Sequence, residues 1–349
     1  MKHFPIIFLF TLIIFIFFNA LIVLTWPLYS NYNYKKHSYS SEQKKLLKLD
    51  EKDLITLYNE TWKNYDKFRF IPFLGHSETN RVGKFVNFSE ENGRKINRPD
   101  NCKNFVYLYG GSTTFGYNVT DNQTIGYYLQ NFFDNKTCVY NHGRAYYYSK
   151  QENNLFINHI ENKKKIDTAI FLDGINERCG GYEYMHQLNN SFNFYVERPF
   201  LMWKNSLKNL MLSLPIVQAV NSLNGSSRWI DDNNNSILNI ESCGSKTNLG
   251  ELYDARIKVR SSICAINKIN CFSFLQPMAG AHGKQIEKFL NDKGIKKLNR
   301  KYKLLSSAKN KIDLGYVLKN ESTLSYIDAV HYSPSSNKKI AEEIYKLVN

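Results

Sequence analysis

From residue 104 onward, short apolar runs alternate with segments of helical length, and this rhythm constrains the fold more than any other feature of the chain. The runs are Phe105–Tyr109, Thr137–Tyr140, Thr168–Leu172 and Cys271–Leu275. Between them lie Asp121–Phe133, Gln151–Lys163 and Asn248–Asn267. Runs this apolar do not suit a sheet with one wet face. Interleaved with helices, they predict a parallel sheet covered on both sides, in three α/β/α layers. Such a sheet binds its ligands beyond the carboxyl ends of its strands, so residues that follow the runs are the first candidates for chemistry.

Upstream, Phe4 to Leu28 is almost continuously apolar, interrupted only by Thr11, Asn19 and Thr25. About 20 such residues cross a bilayer core, so the expectation is one N-terminal transmembrane helix over residues 1–29. No small-x-small cleavage site ends it, which favours an uncleaved signal anchor over a signal peptide. Trp26 and Tyr29 suit the interface at its outer end. Residues 30–103 then supply a tether, a helix with apolar spacing over Ser41–Lys63, and short strands with a hairpin at Asn92-Gly93. The main domain is expected over 104–349, with an insertion at about 180–246. That insertion holds an amphipathic piece, Leu201–Leu223, and a polar piece, Gly225–Asn235.

The 349-residue chain carries a formal charge of +15, which points to anionic surroundings such as lipid headgroups or acidic polysaccharide. The dense basic stretch Lys284–Lys311 also has apolar residues at helical spacing, and so reads as a solvated helix face. No zinc-finger spacing or RNP-like motif supports a nucleic-acid partner. Six cysteines without a CxxC pair, and histidines without HExxH, give no metal site, and no cofactor is expected. Three disulfides in an oxidising compartment and buried free thiols explain the cysteines equally well.

The first run ends in Gly110-Gly111-Ser112-Thr113-Thr114-Phe115-Gly116. A P-loop is excluded because Tyr117 and Asn118 stand where Lys and Ser/Thr are needed, and the GxGxxG fingerprint is absent. The GxSxG elbow fails too, since Thr114 takes the place of its last glycine. What remains is a serine at a strand-to-helix turn. A serine hydroxyl needs a base to take its proton, and the base needs an orienting acceptor. Asp328 and His331, three apart and just before a Ser333-Pro334 helix start, offer both. After the third run, Asp173-Gly174-Ile175-Asn176-Glu177 could present an amide to an oxyanion. After the second, Asn141-His142-Gly143-Arg144 could present a backbone N–H. Each piece alone also reads as an ordinary turn or helix cap.

Together and in this order, the four pieces resemble the blocks of the SGNH (GDSL-like) hydrolase family: GDS(L), a later Gly, GxND and DxxH. Their counterparts are Gly110-Gly111-Ser112, Gly143, Gly174-Ile175-Asn176-Glu177 and Asp328-Ala329-Val330-His331. The resemblance covers residues 104–349, and Gln276-Pro277 resembles a feature of membrane-associated members. It implies a flavodoxin-like parallel sheet, Ser112 as nucleophile, His331 as general base and Asp328 as its orienter. The oxyanion hole would be Ser112 N–H, Gly143 N–H and the Asn176 side chain. Gly111 and Glu177 depart from the family, each standing where an Asp is usual.

The function so implied is a serine esterase acting on O-acyl, above all O-acetyl, esters of envelope glycans, with its domain outside the membrane. The lysines after the apolar run argue for the opposite orientation by the positive-inside count. Lipid ester hydrolysis, acyl transfer to polysaccharide with the same triad, and a non-catalytic glycan- or partner-binding scaffold are the alternatives.

Overall fold

The computed structural model describes residues 9–22, 24–25, 39–63, 68–71, 74–179, 248–283, 287, 289–319, 321 and 324–349. The expected insertion, with Leu201–Leu223 and Gly225–Asn235, lies outside them. The chain divides into two compact units, one formed by residues 1–39 and 183–234, the other by 40–182 and 235–349.

In the first unit, residues 9–22 form helix α1 and expose large apolar side chains, among them Phe10, Ile16 and Phe17. Among the described residues no helix is long and apolar enough to cross a membrane, so the expected span at 4–28 is not found.

The second unit contains α2 (Ser41–Leu47), α3 (Glu51–Tyr58), a π-helical turn at Asn59–Lys63, the hairpin β1 (Phe68–Ile71) and β2 (Gly75–Glu78), and the short pair β3 (Phe88–Ser89) and β4 (Gly93–Arg94). The alternation follows: β5 (Asn104–Gly110), α4 (Ser112–Phe115), α5 (Ile125–Phe132), β6 (Thr137–Asn141), α6 (Ser149–Glu161) and β7 (Thr168–Asp173). It resumes with α7 (Leu249–Asn267), β8 (Asn270–Leu275), α8 (Asp292–Ser306), β9 (Ile312–Asp313) and α9 (Pro334–Val348). The Asn92-Gly93 turn does join an antiparallel pair.

The main sheet runs β3-β4-β6-β5-β7-β8-β9, and β6, β5, β7, β8 and β9 are parallel. The chain therefore starts this parallel set at β5, steps to β6 on one side, then returns to β7 on the other. That reversal opens a crevice at the carboxyl end of β5, where an open α/β sheet takes its ligand. Val106, Leu108 and Tyr109 of β5 and Ala169 to Leu172 of β7 are buried, as strands covered on both faces must be. Phe156 from α6 and Phe171 meet edge to face in that core. Disulfides join Cys102 to Cys138 in β6 and Cys264 in α7 to Cys271 in β8, and Cys179 is also disulfide-bonded. Of the two readings of the cysteines, these bonds favour the disulfides over buried free thiols.

Candidate active site

Ser112 begins the single turn of α4, directly past β5, with Gly111 as N-cap. Gly111 contributes no capping side chain, while its carbonyl accepts the N–H groups of Thr114 and Phe115 at 3.1 and 3.0 Å. A Cβ at residue 111 would lie 2.5 Å from Asn176 Nδ2. The Asn176 side chain would have to shift to admit a side chain at residue 111.

The other two catalytic candidates come from one tight loop before α9. Ile327 N–H donates to His331 C=O at 2.8 Å and Ser333 N–H to Ser325 C=O at 2.9 Å, closing the loop around residue 328. Ser333 caps α9 and Pro334 occupies its first turn, as the sequence suggested. Inside the loop Asp328 Oδ1 accepts the N–H groups of Val330 and His331, both at 2.7 Å. Its Oδ2 lies 2.7 Å from His331 Nδ1, and His331 Nε2 lies 2.9 Å from Ser112 Oγ. Alcohol, imidazole and carboxylate thus stand in line across 219 residues of sequence. Burial works against ionisation of Asp328, but the His331 charge, the His331 side-chain bond and the two backbone N–H groups outweigh it. They hold the carboxyl below its ordinary value.

Two residues that the sequence reading did not single out extend this line. Asn118, in a left-handed conformation at φ 62°, donates its amide to Asp328 Oδ2 at 2.5 Å. Trp62 from the π-helical turn donates its indole N–H to Asn118 Oδ1. The His331 ring stacks on Tyr117 at 5.5 Å and has Trp62 at 5.7 Å. The only sequence signal was Asn in a short loop after the nucleophile turn, a residue type that tolerates positive φ.

On the oxyanion side the structure separates the expected donors. The Asn176 amide donates to Tyr147 C=O at 2.9 Å, which leaves its second hydrogen for the crevice. Gly143, the other expected donor, is engaged locally. Its N–H donates to Asn141 Oδ1 at 3.0 Å, while Asn141 Nδ2 donates to Thr114 C=O at 2.7 Å. A Cβ at residue 143 would meet Phe115 N at 2.3 Å. Glycine is needed there for close packing against α4, and its N–H is already engaged within its own turn. Gln276 contributes through Thr113, whose hydroxyl donates to its Oε1 at 2.8 Å.

Buried charges support this side. Glu177 accepts Ser149 N–H at 2.6 Å, Ser149 O–H at 2.9 Å and an Arg256 N–H at 2.8 Å, so it ties the turn after β7 to α6 and α7. Arg260 binds Asp173 through both terminal nitrogens, at 2.8 and 3.1 Å. Among the described residues no three His, Cys, Asp or Glu side chains converge as a metal site.

No protein-family profile matches the sequence, and no curated protein matches it. Several solved structures are similar in fold. One is a protein assigned to the lipolytic G-D-S-L family from Desulfitobacterium hafniense, 14% identical with a TM-score of 0.37, covering 70% of this chain and 99% of that one. Another is a carbohydrate acetylesterase family member from Sinorhizobium meliloti, 13% identical, TM-score 0.35, covering 70% and 97%. A third is an acetyl xylan esterase, 11% identical, TM-score 0.36, covering 70% and 100%. At such identities and scores these matches add nothing to the reading of the site, which rests on its own residues.

Proposed function

We propose that the protein is a serine ester hydrolase working through an acyl-enzyme. The observation that carries this is the aligned contact set: Asp328 Oδ2 to His331 Nδ1 at 2.7 Å, and His331 Nε2 to Ser112 Oγ at 2.9 Å. In the first step His331 Nε2 takes the hydroxyl proton as Ser112 Oγ bonds to the ester carbonyl carbon. Asp328 holds the ring in the needed tautomer and stabilises the imidazolium. The carbonyl oxygen becomes an oxyanion facing Ser112 N–H and the Asn176 amide. As the C–O bond breaks, His331 returns the proton to the leaving alcohol. Water, deprotonated by the same imidazole, then attacks the acyl carbon and restores Ser112.

The substrates we favour are O-acetyl and related O-acyl esters of envelope glycans. Support for an extracytoplasmic location comes from the disulfides, which form and persist in oxidising compartments. The apolar N-terminal run, with its exposed helical stretch, supports export and membrane association. A fluorophosphonate probe tests the chemistry: we expect one modified peptide, containing Ser112, and none in Ser112→Ala. A wild-type protein left unlabelled at active ester-hydrolysing concentrations would overturn the assignment.

A further inference from the structure

Helix α8 buries Gly294, Leu298, Lys301 and Leu305, the stripe expected of an amphipathic helix against the sheet. Three of these four are unremarkable core choices, but the third is a lysine that is 0% exposed. A charged group is not placed in a core stripe without cost, so its contacts there must be specific. Lys301 Nζ donates to the carbonyl of Ile175 at 2.6 Å, a partner 126 residues away.

That carbonyl has a particular place. Glu177 N–H donates to Gly174 C=O at 2.9 Å, so residues 174–177 form a four-residue turn whose central peptide joins Ile175 to Asn176. The two commonest turn types differ by rotation of this central peptide through roughly 150–170°. Asparagine at the third position tolerates the positive φ of the rotated form. The turn's own sequence therefore leaves both orientations open, and an ammonium gripping the central carbonyl selects one. Rotation would carry the Asn176 backbone, and with it the amide that faces the oxyanion. The far ends of the turn are held separately, by Glu177 to Ser149 and Arg256.

We propose that Lys301 is a positioning residue for catalysis, which fixes the central peptide of the 174–177 turn and so aims the Asn176 amide at the oxyanion. The inference rests on the serine-hydrolase reading above and adds to it a device outside the triad. It also builds pH dependence into the turn. Burial pushes the Lys301 ammonium down to about 7, with Arg178 adding to the effect and Glu177 opposing it. Among the described residues these are the charged groups that act on it, and Arg256 shares the Glu177 carboxylate. A neutral amine still donates to Ile175, but without charge assistance, which roughly halves the strength of such a bond.

The test uses the full chain and p-nitrophenyl acetate, with kcat and KM followed from pH 6 to 9. Wild type should lose kcat on the alkaline side by about fivefold, following the weakened bond. Lys301→Met should lower kcat about tenfold at pH 6.5 with KM within about twofold, because the oxyanion contact is made in the transition state. That variant should also lack the alkaline fall. In an Asn176→Ala background the same substitution should cost less than about twofold, since its target is gone. Lys301→Gln repeats these measurements if Lys301→Met does not fold, and the wild-type alkaline limb decides if neither does. A Lys301→Met enzyme with wild-type kcat and an unchanged pH profile, an equal loss in the Asn176→Ala background, or a flat wild-type profile would each overturn the proposal. Fluorophosphonate labelling of wild-type Ser112 separates the two levels. Labelled Ser112 with a neutral Lys301 removes only the positioning role, and unlabelled Ser112 removes the hydrolase reading itself.

Discussion

The two halves of the crevice are built by different means. On the triad side, the 325–333 loop supplies most of its own support: Asp328 takes two N–H groups from residues two and three places on and the loop closes through its own backbone, with Asn118 adding one bond from a distant segment. On the oxyanion side, the 174–177 turn is held by side chains from far away, Ser149, Arg256 and Lys301, and by the Tyr147 carbonyl. The triad needs three groups in line, which a short loop and a strand end can provide. The oxyanion site we propose needs the 174–177 turn kept in one shape, and the contacts that hold it are tertiary. We expect catalysis to fail abruptly when the first half is altered and by degrees when the second is.

Removing the nucleophile tests the abrupt case. Ser112→Ala should reduce kcat by about 10⁴–10⁶, leaving only what binding and the oxyanion donors supply. Steady-state hydrolysis of an activated acetate ester measures this, and retention of more than about a hundredth of wild-type kcat would break the comparison at its root. Asn176→Ala comes next, with an expected loss of about 10²–10³ in kcat, the usual value of one oxyanion donor. Gly143→Ala is not an equivalent experiment. Its Cβ would press on Phe115 N, so the variant should lose thermal stability as well as activity.

Smaller effects sharpen the picture of the self-organised half. Asn118→Ala removes one of three bonds that Asp328 accepts besides the contact with the His331 ring, and kcat should fall about tenfold with KM unchanged. Because Trp62 reaches Asp328 through Asn118, Trp62→Phe should cost less than Asn118→Ala and almost nothing in its background. Equal losses from both would show that Trp62 acts through its ring on His331 instead.

The smallest effect on the reaction, and one on stability, concerns the end of β6 between the two halves. His142 and His159 lie 4.4 Å apart in the core, and His159 Nδ1 meets the Tyr109 hydroxyl at 2.9 Å. Burial, then neighbouring cations, lowers His159 to about 3 and His142 well below its ordinary value. In the unfolded chain both return to about 6.5. The unfolded state then binds more protons below that pH, so stability is complete above about 6.5 and falls as pH drops toward 3. Urea midpoints at pH 7, 5.5 and 4 should decline in that order, and His142→Phe should flatten the decline. A flat series would show that these rings are not buried neutral.

Much of this was legible before any coordinates. Alternation of apolar runs and helices fixed a parallel sheet because strands covered on both faces have no freedom to be polar. Ser112, Asp328 and His331 could be picked out because their chemistry is carried by residue type and their loops are local. Asn118, Trp62 and Lys301 could not be picked out. Asn118, Trp62 and Lys301 act through long-range hydrogen bonds, and although spacing from Leu298 and Leu305 puts Lys301 on the buried face of α8, it names no partner for it there. The Gly143 N–H, expected to face a ligand, donates to its neighbour Asn141, a partner that spacing alone does not reveal. Residue order dictated which layers form and which groups can react. Only the folded chain decided which donors are free and which are already spent, because a hydrogen bond belongs to two residues and sequence shows one at a time.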